Sequence, residues 1–180
     1  MVQSREELEQ FHTTADPWGY EDNEHDKRRK AMLLSEIPRR AYRSVVDIGC
    51  GQGFVTRDLP GERVLGVDIA EQAVRHAQKH ASARLRFVQG SLFDLSEVLS
   101  REGQSEGNDL IVITGVLYPQ YIGEAHAMVY DIIDRALAPG GILISVHIGS
   151  WYRARFPYLL LKNVFYDYRE YTHSLEVYAK

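Results

Sequence analysis

Two hydrophobic periods take turns along this chain. Short runs rich in Val, Ile and Leu predict strands over about 43–48, 62–67, 84–88, 109–113 and 142–148. Apolar residues at helical spacing lie between them. Ala73, Val74, Ala77 and Ala81 predict a helix over 70–81, and Met128, Val129, Ile132, Ile133 and Ala136 predict one over 123–138, stopped by Pro139-Gly140-Gly141. A short helix begins near Gly53 and ends at Pro60-Gly61, and another opens at Phe93. The 109–113 run is apolar without alternation, as a parallel strand buried on both faces must be. Repeated strand–helix units imply an α/β fold whose parallel sheet carries helices on both faces. Ligands then belong at the carboxyl ends of the strands.

The flanks follow other patterns. Ser4-Arg5-Glu6-Glu7 fits a capping box, with Leu8 and Phe11 as a short apolar stripe behind it. The segment 13–20, with Pro17, Trp18, Gly19 and Tyr20, breaks that helix; its two aromatics either plug the segment onto the core or lie over a pocket as a lid. A second helix over 24–36 ends before Pro38. Its first half, 24–30, is charged and reads most simply as a solvated face. Residues 150–180 crowd eight aromatics between Trp151 and Tyr171, and the alternation over 174–178 predicts a last strand.

Composition narrows the picture. At 180 residues, one domain with a substantial core is expected. The net charge of −4 gives no basic footprint for nucleic acid, so no nucleic-acid partner is expected. No apolar run reaches the roughly 18 residues of a membrane span, so no membrane partner is expected either. The polar, acidic start does not read as a signal peptide, and cytoplasmic localisation is the expectation. A single cysteine, Cys50, excludes an internal disulfide, and no metal-ligand spacing occurs, so no metal is expected.

The candidate chemistry centres on 45–54, Val-Val-Asp-Ile-Gly-Cys-Gly-Gln-Gly-Phe. Gly49, Gly51 and Gly53 allow a sharp strand-to-helix turn with no side chain between backbone and ligand. Asp68, 21 residues beyond Asp47, closes the next strand, about where an acidic group grips a ribose diol. A nicotinamide or flavin site would want a third glycine where Phe54 stands; the pattern suits a nucleoside without a pyrophosphate to bury.

With the Leu137-Ala138-Pro139-Gly140-Gly141 turn, the order of these motifs resembles the class I S-adenosylmethionine-dependent methyltransferases over roughly 40–150. Asp16-Pro17-Trp18, followed about ten residues on by Arg28-Arg29, resembles the N-terminal region of the NodS-like members. The resemblance implies a doubly wound, Rossmann-like seven-stranded sheet, mostly parallel with the last strand antiparallel, and helices on both faces. A distorted crossover helix would occupy 151–162 and strand six 163–169. It divides the single domain into a helical lid over 1–40, a cofactor-binding core over 41–149 and a hairpin and acceptor region over 150–180.

It also implies roles. The cofactor, S-adenosyl-L-methionine, would meet the Gly49, Cys50, Gly51 and Gly53 loop, with Asp47 ordering the loop and reaching the cofactor's amino group. Asp68 would hold the ribose, Ile69 would flank the adenine, and Ser91, where the family usually has Asp, would serve the adenine with the Leu92 backbone. Thr114 would touch the amino-acid end, Arg29 would pair with the methionyl carboxylate, and Trp18 would lie over the pocket. Tyr118 would face the acceptor. His147, near the carboxyl end of its strand, is the candidate base against the alternative of a hydrogen-bonded strand histidine. The implied activity is methyl transfer to N or O of a small-molecule acceptor, such as an amino sugar or another carbohydrate-derived molecule. A non-catalytic nucleoside-binding or interaction module of the same fold is the alternative. The aromatics of 151–171 would suit a homodimer surface or a pocket wall equally.

Overall fold

The computed structural model describes residues 3–14, 16–17 and 19–180. Helix α1 (Arg5–Phe11) starts at a complete capping box between Ser4 and Glu7, and α2 (Glu24–Glu36) is capped by Asn23. The core follows as β1 (Ser44–Ile48), β2 (Arg63–Asp68), α3 (Glu71–Ala77), β3 (Leu85–Gln89), α4 (Leu95–Arg101), β4 (Asn108–Thr114), α5 (Pro119–Ile122), α6 (His126–Ala136), β5 (Leu137–Ile148), β6 (Leu159–Tyr168) and β7 (Tyr171–Ala179).

One seven-stranded sheet runs β3-β2-β1-β4-β5-β7-β6. The first five strands pair in parallel, and β7 lies antiparallel between β5 and β6. The chain winds outward from β1 in both directions, so the order reverses between β1 and β4, where a doubly wound sheet opens a crevice. Alternation splits the core. Val46, Ile48, Ile111 and Ile113 pack under α4 and α6, while Val45, Leu110, Val112 and Ile144 pack with Leu33 of α2 and Val74 of α3 on the opposite face.

Four expectations need correction. The helix after Gly53 is only a single 3-10 turn at Thr56–Asp58. The helix expected over 123–138 is shorter, His126–Ala136, and a separate short turn, Pro119–Ile122, precedes it and ends at Gly123, which takes φ 55°. The Pro139-Gly140-Gly141 turn lies inside β5, which pairs with β4 from Asn108–Leu137 onward through a register shift. No helix forms over 151–162: after Ile148 the chain crosses without regular structure and enters β6 at Leu159, earlier than the expected 163. Pro157 disfavours helix there, and Leu159 and Leu160 pair with β7, with a register shift at Leu161. The β6–β7 connection is a two-residue turn, Arg169-Glu170, between the paired Tyr168 and Tyr171. Arg169 takes φ 52°, a strained conformation for a residue with a Cβ. Among the described residues, no helix is long and apolar enough to cross a membrane.

Candidate functional site

Sheet geometry sends the ends of β1, β2, β4 and β5 to one edge, and a cavity of about 590 Å³ lies there. That volume suits a small organic ligand. Its floor is the turn after β1. Gly49 takes φ 76°, and a Cβ there would stand 2.2 Å from the Val116 side chain. Gly51 takes φ 53°, and a Cβ there would meet nothing within 4 Å, so the backbone is bare to the cavity it lines. Cys50 also lines the cavity, with a buried thiol whose pKa burial pushes up.

Both predicted acids border this floor. Asp68 accepts from the Gly51 amide (2.8 Å) with one oxygen and the Ala70 amide (2.9 Å) with the other, locking the turn to the tip of β2. It does not cap α3. Glu9 does that from α1, accepting from the Glu71 amide (2.5 Å) and the Gln72 amide (3.0 Å). Asp47 is buried; Thr56 Oγ1 donates to its Oδ2 (2.6 Å), and Oδ1 has no hydrogen-bond partner among the described residues. Burial raises the Asp47 pKa to about 6 and also raises that of Asp68. Ile69, Ser91, Leu92 and Thr114 line the same cavity. The Ser91 hydroxyl already accepts from the Phe93 amide (3.1 Å).

The N-terminal segment contributes Gln3, Leu8, His12 and Tyr20 to the cavity lining. Asp16 accepts from the Tyr20 and Glu21 amides (both 2.9 Å), and Glu21 takes both terminal nitrogens of Arg57 (2.5 and 2.8 Å), tying the segment to the core. Trp18 lies outside the described residues. The charged half of α2 is solvated at Glu24, His25, Lys27 and Arg28, but Asp26 and Arg29 turn inward and are buried. Arg29 lines the cavity, its guanidinium 5.1 Å from the Tyr20 ring centre and 5.8 Å from that of Tyr168. Nε donates to Asp26 (3.2 Å), and this is its only hydrogen bond among the described residues.

At the far end the wall is aromatic. Trp151 meets Tyr118 edge-on (5.2 Å between centres) and Tyr171 likewise (5.3 Å), and Tyr121 and Tyr168 complete the surface. Tyr118 borders the cavity, but its hydroxyl oxygen accepts from the Ile148 amide (2.9 Å) and burial raises its pKa. It forms part of the cavity wall.

Two predicted site residues lie elsewhere. Gly53 does not line the cavity; a Cβ there would press within 2.8 Å of the Phe87 ring, so the glycine serves packing. His147 points to the sheet face opposite Val146, which does line the cavity. Its ring lies edge-on to Tyr152 (4.8 Å), its Nδ1 is 3.2 Å from Ser145 Oγ, and burial lowers its pKa to about 4. That is the arrangement of a hydrogen-bonded strand histidine. Sequence reasoning also missed Gln52. It is 4% exposed, lines the cavity, and neither amide atom has a partner among the described residues. Its position within the glycine turn was the only available signal. Among the described residues, no three His, Cys, Asp or Glu side chains are grouped to hold a metal.

Comparison with known proteins gives a consistent result. A family model described as a methyltransferase domain matches residues 41–174. The trans-aconitate 2-methyltransferase of Variovorax paradoxus is 34% identical over 129 residues, covering 69% of this chain and 46% of that protein. The malonyl-[acyl-carrier protein] O-methyltransferase of Halalkalibacterium halodurans is 28% identical over 138 residues, covering 69% and 49%. The chain spans about half the length of these curated relatives. Among solved structures, N-methyltransferase NodS from Bradyrhizobium japonicum in complex with S-adenosyl-l-homocysteine superposes with a TM-score of 0.78 at 22% identity, over 98% of this chain and 97% of that one.

Proposed function

The chain belongs to the methyltransferase domain family, and from that premise we propose that it transfers the methyl group of S-adenosyl-L-methionine to oxygen or nitrogen of a small molecule. The observation that carries this reading is one cavity lined by a bare glycine turn and by buried polar atoms lacking protein partners: Asp47 Oδ1 and the Gln52 amide. Unpaired buried polar groups are costly, so a ligand that pairs with them is strongly favoured.

The residues fit the cofactor. Asp68 would accept from the ribose hydroxyls, Asp47 Oδ1 from the ammonium group, and Arg29 would hold the carboxylate. Ile69 and Leu92 would flank the adenine beside Ser91, and Thr114 would touch the amino-acid end. When bound, the cofactor supplies an activated methyl group on a cationic sulfonium. The chain's work is alignment and exclusion of water, and the aromatic wall of Tyr118, Trp151 and Tyr171 fits that role. Neither His147 nor Tyr118 is available as a base, which favours an acceptor that is a nucleophile without assistance, a carboxylate or a neutral amine. The carboxylate reading accords with the trans-aconitate relatives. The aromatic wall supports a second reading, an amino sugar or other carbohydrate-derived amine stacked on the rings.

Isothermal titration with S-adenosylhomocysteine tests the cofactor; low-micromolar binding is expected, and no binding by folded protein refutes it. A panel of carboxylate, hydroxyl and amine acceptors then tests turnover. Cofactor binding without turnover on any of them would favour a nucleoside-binding or interaction module that keeps the fold.

A further inference from the structure

Asp26 has no solvent exposure, yet its carboxylate bonds three side chains and joins two parts of the molecule. Oδ1 accepts from Arg29 Nε (3.2 Å) on its own helix and from the Tyr168 hydroxyl (2.7 Å), and Oδ2 accepts from Arg169 Nη2 (2.8 Å). Tyr168 and Arg169 form the tip of the β6–β7 hairpin, and Tyr171, paired with Tyr168 across the turn, packs against Trp151. One buried carboxylate thus sits between two guanidiniums. Arg169 reaches solvent, but Arg29 is buried beside an open cavity and shares its only carboxylate among the described residues with that second guanidinium, and a buried cation so incompletely neutralised calls for a further anion. Arg29 is the member placed to meet it, since it lines the cavity and has only Nε engaged.

We propose that Asp26 is a positioning residue that couples the two halves of the cavity, aiming Arg29 at the cofactor's carboxylate and holding the hairpin tip that carries the acceptor wall. The inference rests on reading the cavity as an S-adenosylmethionine site. An anion on Arg29 draws on the same carboxylate that Tyr168 and Arg169 share, so cofactor binding sets the wall before the acceptor arrives. Asp26 itself touches neither ligand.

The test compares S-adenosylhomocysteine with 5′-methylthioadenosine, which keeps the nucleoside and thioether but lacks the amino-acid end. Asp26→Asn preserves shape and removes the charge. Its affinity for S-adenosylhomocysteine is expected to fall about tenfold, the loss of one charge-assisted contact, while that for methylthioadenosine stays within about twofold of wild type. Equal losses for both ligands, as a merely structural role would give, overturn the proposal, and so does no loss for either. A second measurement needs no change at Asp26. With fluorotryptophan incorporated, the fluorine NMR resonance of Trp151, assigned by its loss in Trp151→Phe, is expected to shift with S-adenosylhomocysteine and not with methylthioadenosine. Equal shifts, or none, overturn the coupling. Wild type that binds neither ligand brings down the cofactor reading and this inference together; wild type that binds both with no split brings down the inference alone.

Discussion

At Gln52 a primary amide is buried in the glycine turn with neither of its polar atoms bonded among the described residues. Leaving such a group unpaired costs about 1–3 kcal/mol, whereas an apolar side chain of similar shape avoids that cost. Gln52→Leu is therefore expected to raise the melting temperature while weakening S-adenosylhomocysteine binding about tenfold, a trade that paired calorimetry and thermal melts would reveal. Equal or opposite changes would make Gln52 an ordinary packing residue. Asp68→Asn should differ in kind. Asp68 holds the Gly51 and Ala70 amides, so affinity and melting temperature should fall together. The sequence made Asp47, Asp68 and the bare turn legible because a glycine pattern needs positive φ and an acid at the next strand tip needs only correct spacing. Gln52 and Asp26 were illegible because their significance is burial, which depends on what packs over them from residues far along the chain. His147 misled for a related reason: its strand and its edge of the sheet were predicted well, but the face it takes depends on a strand's period of two.

Helix α1 shows how little burial an element can have and still be placed. It is seven residues long, buries none of them, and would not persist alone. Its position comes from Glu9 on the first amides of α3, from the His12 carbonyl 3.2 Å from His76 Nε2, and from the Gln3 amide on the Gln120 carbonyl (2.6 Å). Glu9→Ala is expected to speed hydrogen exchange across α1 and the dissociation of S-adenosylhomocysteine, with little change in the melting temperature of the core. Unchanged exchange would mean that α1 is held by other contacts. The strands of the core were readable from composition and period, and α2 was predicted to the residue. Strand β6 was not. Three consecutive leucines, 159–161, are good helix formers, and only pairing with β7 makes them extended. As an edge strand it also leaves Leu159, Leu161 and Phe165 exposed, which blurs the alternation by which a strand is recognised.

On the scale of the whole molecule, buried histidines set the response to acid. His147 and His173 are held neutral, their pKa values lowered to about 4 by burial, to which Arg29 adds at His173. The unfolded chain takes up these protons near pH 6.5, so between about 6.5 and 4 it binds more protons than the fold, and stability is lost as pH falls through that window. Asp47 works the other way, since its carboxyl is raised to about 6 and the fold keeps a proton that the unfolded chain releases. Asp68 is raised in the same direction as Asp47, but four histidines, His12, His80, His147 and His173, are lowered and outnumber them, so thermal melts should show falling stability from about pH 7 to about pH 4.5. His173→Gln should flatten that fall, and Asp47→Asn should stabilise at neutral pH and not at acid pH; a flat profile in wild type would contradict the account. The distribution of the cavity's residues along the chain has a different consequence. The residues read as cofactor contacts are dispersed over α2 and the ends of four parallel strands, whereas most of the aromatic wall comes from one continuous stretch, 151–171. Selectivity for the acceptor is thus heritable as a block. A graft or a run of substitutions there can retarget the protein without rewriting the rest, provided that residues 168 and 169 still offer Asp26 its two donors.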